Sequence, residues 1–571
     1  MFTHFLEKNR VIKMKYLTPF ILLNVVLLTG CFDNEMPMSD VTYVQQTSSS
    51  TSLYSAPYKE GDDIPALAYM QYDEEYNPES VIPPQCYTKT QGKNNPCYAC
   101  HQTDKQDKNR PNTMNDGHLQ GVYEFSDLGL KNHWKNLFID RTDLIAGISD
   151  DQINSWVNQD NYGSFIKKLK ANPDWQGEIA EVKNLAYPAQ AFDEKGFAKD
   201  GSHWVAFNYK PFPSTFWPTN GSTGDVMIRL GKEFRERDGI YNQDVYIANL
   251  SLVEMAIKDL AQISTPDISE RRIGQDLNND GRLSALVSNI TKQPNYVGDA
   301  KDIELSYQLY PQDTEFLHTV RYIGVDEDGQ VYNAPRMKEV RYMKKHRFKS
   351  KQLLASSYYK EAKEKHFENL PQTRYLGDKG INNMFGWTIN GYIEDAQGDL
   401  RPQHKQELAF CNGCHKTVGS TYDQSFSFPR KVQGRDGWGY IDLKAMTDVP
   451  NKGEQQGEFL TYFERVGGGD EFRQNQEMLM RWFNQDGTVN KQRVKQAKNL
   501  YELITPSKER ATKLNKAYFT IMKEQSYLFG RDATLLKAKN VLQTVDDSQA
   551  PLEEQNRYVW DMQLDWSTAT Q

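Results

Sequence analysis

Two short segments repeat one spacing: Cys97-Tyr98-Ala99-Cys100-His101 and Cys411-Asn412-Gly413-Cys414-His415. Both read C-x-x-C-H. Two thiols three positions apart can add to the two vinyl groups of one porphyrin, and the next residue then offers an imidazole to its iron. The spacing predicts two covalent haem c groups, held by Cys97 and Cys100 and by Cys411 and Cys414. His101 and His415 are the expected proximal ligands. A structural zinc site would need two cysteine pairs close together and would leave the following histidines unexplained. A thioredoxin-like pair would follow a strand in a βαβ unit, and neither context reads that way.

The second axial ligands are less determined. His118, in Asn115-Asp116-Gly117-His118, and His133, in Asn132-His133-Trp134, are candidates near the first segment. Each is weighed against ordinary packing or exposure. After the second segment Met478, Met480 and Met446 are eligible, a ligand role that the cytochrome c resemblance described below implies, with core filling as the competing role. Cys86 is left over, and a free thiol is the simplest reading. Arg430, Lys431 and Arg435, near Trp438, could meet acidic groups of a cofactor or form a solvated basic patch.

A further cluster runs Asp276-Leu277-Asn278-Asn279-Asp280-Gly281. Alternating oxygens at Asp276, Asn278 and Asp280 match the first half of a calcium loop, and the glycine permits its sharp turn. The twelfth position is Val287 rather than a bidentate Glu, so Ca²⁺ would need oxygens from elsewhere.

The elements that must position these residues begin with an address. Lys13 and Lys15 precede an apolar run from Leu17 to Leu28, which ends in Leu28-Thr29-Gly30-Cys31. The run has the length of a signal-peptide core and is short for a membrane span. Its end resembles the bacterial lipobox, which implies diacylation of Cys31 as the first mature residue. Residues 32–60 form a Ser/Thr-rich tether with too little apolar surface to fold. The lipid-anchored body would stand on the periplasmic or outer-membrane side of a bacterial envelope.

Behind the tether we expect a first haem-binding region at 61–145, a middle α+β region at 146–400 and a second haem domain at 401–571. Residues 141–200 read as mainly helical, with Ser149 as a cap before Ile153, Trp156 and Val157. Residues 203–224 form an aromatic and proline-rich loop that could line a pocket. Phe316–Val325, Asp326-Glu327-Asp328-Gly329 and the run from Val331 predict a β-hairpin, and a charged helix follows at 350–367. Val494, Ala497, Leu500, Tyr501 and Ile504 share one helical face. Pro506-Ser507 opens another helix, with Ala511, Leu514, Tyr518 and Ile521 on one side and Gly530 at its end.

With Cys411–His415 at its head, this last part resembles a small helical cytochrome c domain. The lipobox and the two C-x-x-C-H segments resemble those of dihaem c-type cytochrome lipoproteins, while the middle of the chain carries no resemblance to a known family. The fold class is then mainly α with an inserted β-rich region, ending in a helical cytochrome c-like domain. The resemblance implies extracytoplasmic redox chemistry with a protein partner. A peroxidase- or oxygenase-like enzyme with a small-molecule oxidant or substrate is one form, a pure electron carrier a second, and a haem-bearing ligand-binding protein a third.

Composition narrows the field. A net charge of −8 over 571 residues argues against a nucleic-acid partner. With 38% hydrophobic and 25% charged residues the chain is globular. Six cysteines are too few for a disulfide scaffold.

Overall fold

A computed structural model describes residues 79–102, 117–213, 216–467, 474–558 and 563–569. Cys31, the expected signal peptide and the tether lie outside the described residues.

An antiparallel sheet organises the protein. Its strands are β1 (Val205–Ala206), β2 (Val226–Arg229), β7 (Glu315–Val325), β8 (Val331–Lys345), β9 (Arg374–Tyr375), β10 (Ile381–Asn382), β11 (Trp387–Glu394) and β12 (Leu400–Pro402). The order is β1-β2-β7-β8-β11-β10-β9, with β12 paired to β11. Two small ribbons stand apart: β3 (Glu236–Arg237) with β4 (Ile240–Tyr241), and β5 (Gln262–Ile268) with β6 (Val287–Thr291). The expected β7–β8 hairpin is present, and Gly329 at its turn takes φ 78°, a conformation that glycine adopts without steric cost.

This eight-stranded sheet corrects the expectation of a mainly helical chain. Strands of 11 and 15 residues at its centre are long enough to bury both faces. Phe316 and Met343 belong to the apolar cluster on one side, while Leu317 and Tyr342 belong to the cluster on the other. Side chains alternate along a strand, so His318, in register with Arg341, falls on the Phe316 side.

The helix Gln243–Lys258 is buried almost all round and fills the Phe316 side. Asn242 caps it by accepting from the amides of Asp244 and Val245, and Asp259 ends it at φ 53°. The helix Lys405–His415, which carries the second C-x-x-C-H segment, contacts β10 and β11.

A separate helical cytochrome c domain at the C-terminus is also corrected. The run with Val494 and Ile504 breaks into Lys491–Gln496 and Leu500–Ile504, with Asn499 capping the second piece. The helix Lys508–Glu524 forms behind its Ser507 cap but ends at Gln525, φ 51°, and not at Gly530. Its Leu514, Tyr518 and Ile521 share a cluster with Tyr322 and Ala334 of the central hairpin. The helix Lys508–Glu524 thus packs on the sheet, while Val494, Leu500 and Ile504 share a cluster with Phe459, Phe463 and Met478 that also takes in Tyr98 of the first segment.

The end of the chain then crosses the first segment's surroundings. Lys89 N–H donates to Asn540 O, Leu542 N–H to Tyr87 O, Asn132 N–H to Gln543 O and Val545 N–H to Leu130 O, all within 2.7–2.8 Å.

Candidate functional site

The first C-x-x-C-H segment is one helical turn, Cys97–Cys100, entered through Pro96. Asn95 is fully buried, and its Oδ1 accepts from the Cys97 amide at 3.0 Å and the Cys97 thiol at 2.8 Å. Gln120 Nε2 donates to the carbonyl of His101 at 2.7 Å and to that of Tyr558 at 2.9 Å. Tyr98 anchors the turn among Tyr462, Tyr558 and Arg465.

The second segment ends an 11-residue helix. A capping box joins His404 and Glu407 at its start. Arg401 grips the Glu407 carboxylate through two bonds of 2.9 Å. Burial would raise that carboxyl, but the guanidinium holds it down at about 2. His415 Nδ1 lies 2.7 Å from Gln424 O. A carbonyl only accepts, so Nδ1 carries the proton and Nε2 keeps its lone pair. Burial holds this imidazole neutral, at about 4, against the raising effect of that bond.

The two segments are separated by 309 residues of sequence and meet in space. Ser420 N–H, just past the second segment, donates to Cys100 O at 3.2 Å. A Cβ at Gly413 would fall 1.5 Å from Val81 O, so the strand of chain leading to the first segment lies directly on the second. Cys86, a free thiol, is within electrostatic reach of Cys97 in the first and Cys414 in the second. Burial, followed by the neighbouring Cys414, pushes its thiol up to about 12. Cys97 is raised by burial and by Cys86, and Cys414 is raised to about 11, chiefly by burial.

These cysteines, with His101 and His415, keep part of their surface accessible. Desolvation nevertheless dominates the raised thiols and lowered imidazole among them. Protonated thiols in such surroundings react slowly with thiols in bulk solvent.

The sheet supplies a wall that sequence reasoning missed. Burial, together with Arg341, lowers His318 to about 3, and His415 lies within electrostatic reach of it. The Phe216 ring stands 5.3 Å from His318, and the Arg341 guanidinium 5.3 Å from the same ring. Phe426 packs on His415 at 5.5 Å, and Phe212 on Phe426 at 5.4 Å. The aromatic loop thus sends Phe212 and Phe216 to this region, while Trp204 and Trp217 are fully buried in the core. The available signal was the polar His318 within the apolar run of β7.

The remaining expected site residues lie apart. His118 is exposed and 3.4 Å from Glu124. His133 is buried against Trp134 and Phe529, and burial lowers it to about 4. Met478 and Met446 are core residues of the cluster that contains Tyr98, so they accompany the first segment and not the second; Met480 is exposed. Arg430 and Lys431 are spent internally, on Glu458 at 2.9 Å and Glu254 at 2.7 Å, and Arg435 faces Asp436 at the surface.

The acidic loop closes on itself. Asp276 accepts from Gly281 N–H at 2.7 Å, Asn278 from Asp280 N–H at 3.0 Å and Asp280 from Arg282 N–H at 2.8 Å. Glu270 takes the amides of Leu277 and Ser284, at 2.7 and 2.8 Å. These oxygens serve backbone amides. Among the described residues no group of three or more His, Cys, Asp or Glu is placed to hold a metal ion. That finding corrects the expected cofactor set of two haem c groups and Ca²⁺.

Comparison with known proteins bears on identity. A family described as a "-like lipoprotein" matches residues 70–503. An "Uncharacterized lipoprotein" of Aquifex aeolicus (strain VF5) is 32% identical over 518 residues, covering 80% of this chain and 86% of that protein. No solved structure matches significantly. The match is to lipoproteins and not to a cytochrome c family, so the resemblance to dihaem cytochromes is set aside. Among the described residues no helix is long and apolar enough to cross a membrane.

Proposed function

The chain belongs to this lipoprotein family, and from that premise we propose that it is a lipid-anchored redox protein whose working site is the joint between its two C-x-x-C-H segments. Cys31 is the lipidated residue in this reading, and the folded body works on the periplasmic or outer-membrane side. It exchanges electrons there with a redox partner protein or a small oxidant.

One observation carries the reading. Two copies of a redox-competent spacing, distant in sequence, lie against each other, and a fifth thiol, Cys86, is within electrostatic reach of both. Structural stapling alone would not need partly accessible thiols paired twice, each pair followed by a histidine. A C-x-x-C pair has redox chemistry of its own: two thiols close to a disulfide with release of two electrons and two protons. The desolvated setting slows exchange with small solvent thiols, so electrons would arrive through a docked partner.

The test is a potentiometric titration of the full-length lipoprotein in detergent. The wild-type chain should take up and release electrons reversibly. Serine at Cys97, Cys100, Cys411 and Cys414 together should abolish that uptake while the chain stays folded by circular dichroism. Uptake that survives the four substitutions, or a wild-type chain that takes up none, overturns the reading.

A further inference from the structure

The helix Lys351–His366 buries Leu354 and Tyr358 against Phe385 and leaves its opposite side exposed. Tyr359, Lys363 and, at the C-cap, Phe367 follow at intervals of four and share that side. Tyr359 and Phe367 are 73% and 65% exposed, where a helix packed only on the body would carry polar residues. Lys349 ties the helix to the end of the sheet, its Nζ donating to Ser357 Oγ at 2.9 Å and to Met384 O at 2.6 Å. Asn382 of β10 accepts from the Met384 amide at 2.8 Å and is in register with Arg374 of β9. Met384 and Tyr375 are exposed beside the helix.

This face is basic in an acidic protein. Residues 347–380 hold eight Lys and Arg against four Asp and Glu, a net charge of +4, where the whole chain carries −8. Two of the four acids are already engaged, Glu361 with Lys416 at 2.9 Å and Asp378 with the Gln176 amide at 3.0 Å. Lys360, Arg374 and Lys379 are exposed and, among the described residues, have no carboxylate partner.

The chain supplies a complement next to it. Residues 61–78, outside the described residues, hold Asp62, Asp63, Asp73, Glu74 and Glu75 and no Lys or Arg. Ile64, Leu67, Tyr69, Met70 and Tyr72 lie between the two acidic groups. The described chain begins at Glu79, at the rim of the face. Val81 O lies on Gly413, and the neighbouring Asn412 Nδ2 donates to Oγ1 of Thr373, one residue before β9, at 3.4 Å. Eighteen residues extend to about 60 Å and a 16-residue helix is about 24 Å long, so the segment spans the face with slack. Tethered at Glu79, it meets the face at an effective concentration on the order of mM. A separate acidic protein or an anionic lipid surface offers similar charge and lacks that tethering.

We propose that residues 61–78 dock on the face formed by the helix Lys351–His366 and β9, as an acidic strap of the same chain. Its carboxylates meet Lys360, Lys363, Arg374 and Lys379, and its apolar middle covers Tyr359 and Phe367. The docked strap leaves residues 32–60 alone as the spacer to the lipid at Cys31. It needs no redox chemistry at the two C-x-x-C-H segments.

The experiment is thermolysin digestion and carbodiimide cross-linking of the full-length lipoprotein in detergent, read by mass spectrometry on an equal mixture of heavy-isotope-labelled and unlabelled chains. Cross-links should join the acids of residues 62–75 to Lys360, Lys363 or Lys379 within one chain. Thermolysin should cut between Ile64 and Tyr72 about tenfold faster in K360E/K363E/K379E than in the wild type, the population change that three exposed ion pairs supply. D73K/E74K/E75K should be cut at a similarly raised rate, and combining the two sets should restore most of the protection. Wild-type cleavage as fast as in the variants, or absence of those cross-links, overturns the proposal. Cross-links that join labelled to unlabelled chains would put a second copy on the face and overturn it as well. If K360E/K363E/K379E fails to fold by circular dichroism, D73K/E74K/E75K and the cross-links decide.

Discussion

Glu407 holds the second segment's helix to the rest of the protein through a single carboxylate. It closes the capping box with His404, takes both prongs of Arg401, and its backbone carbonyl receives Arg531. Its folded pKa of about 2 lies below the ordinary value of 4.5. A depressed carboxyl contributes stability that is fully present above the unfolded value and is lost as pH falls through the folded one. Between about 4.5 and about 2 the wild-type chain should therefore lose stability that Glu407→Gln has already lost. Urea midpoints of the two proteins should differ most near neutral pH and converge as the pH falls through that window. A gap that is constant with pH would contradict this account of Glu407.

At the scale of elements, charge is used to lock parts of the protein together. The buried helix Gln243–Lys258 presents Glu254 to Lys258, at 2.6 Å, and to Lys431, at 2.7 Å. Burial would raise Glu254, but the two ammonium groups hold it below its ordinary value. Lys431 is pushed down to about 8 by burial, with Glu254 opposing. Glu254→Gln would leave two desolvated lysines without their counter-charge, at a cost of about 3–5 kcal/mol. Equilibrium urea unfolding at neutral pH checks this value, with Lys363→Gln, in an exposed pair with Glu364, as a control expected to cost under about 1 kcal/mol. Equal losses in the two variants would contradict it.

Elements were legible in the sequence where local chemistry decides them. Ser149 and Ser507 cap the helices that their positions predict, and Asp326–Gly329 turns the hairpin. The charged stretch forms the helix Lys351–His366. Long-range outcomes were not legible. The use of Arg430 and Lys431 depends on Glu458 and Glu254, which no local pattern ties to them. The short strands β9 and β10 at one end of the sheet, two residues each, have no periodicity to read. The C-terminal helices show the apolar spacing of a small bundle. The partner for that face, Tyr322 and Ala334 on the sheet, lies nearly two hundred residues earlier.

For the whole molecule, the sequence named the cysteines and histidines of the two segments and left out their meeting and the His318–Arg341 wall. It placed the C-x-x-C-H segments in separate regions. Contact between Val81 and Gly413, and between Cys100 and Ser420, depends on the chain end folding back across residues 85–132. If the two segments form one site, the dithiol or disulfide state of one must alter the packing of the other across their contact. In the titration of C97S/C100S, the midpoint of the second segment should shift away from its wild-type value. In C411S/C414S the midpoint of the first should shift by a matching amount, because coupling free energies are reciprocal. Midpoints that stay where they are in the wild-type chain would mean two independent sites and would contradict the joint on which the account rests.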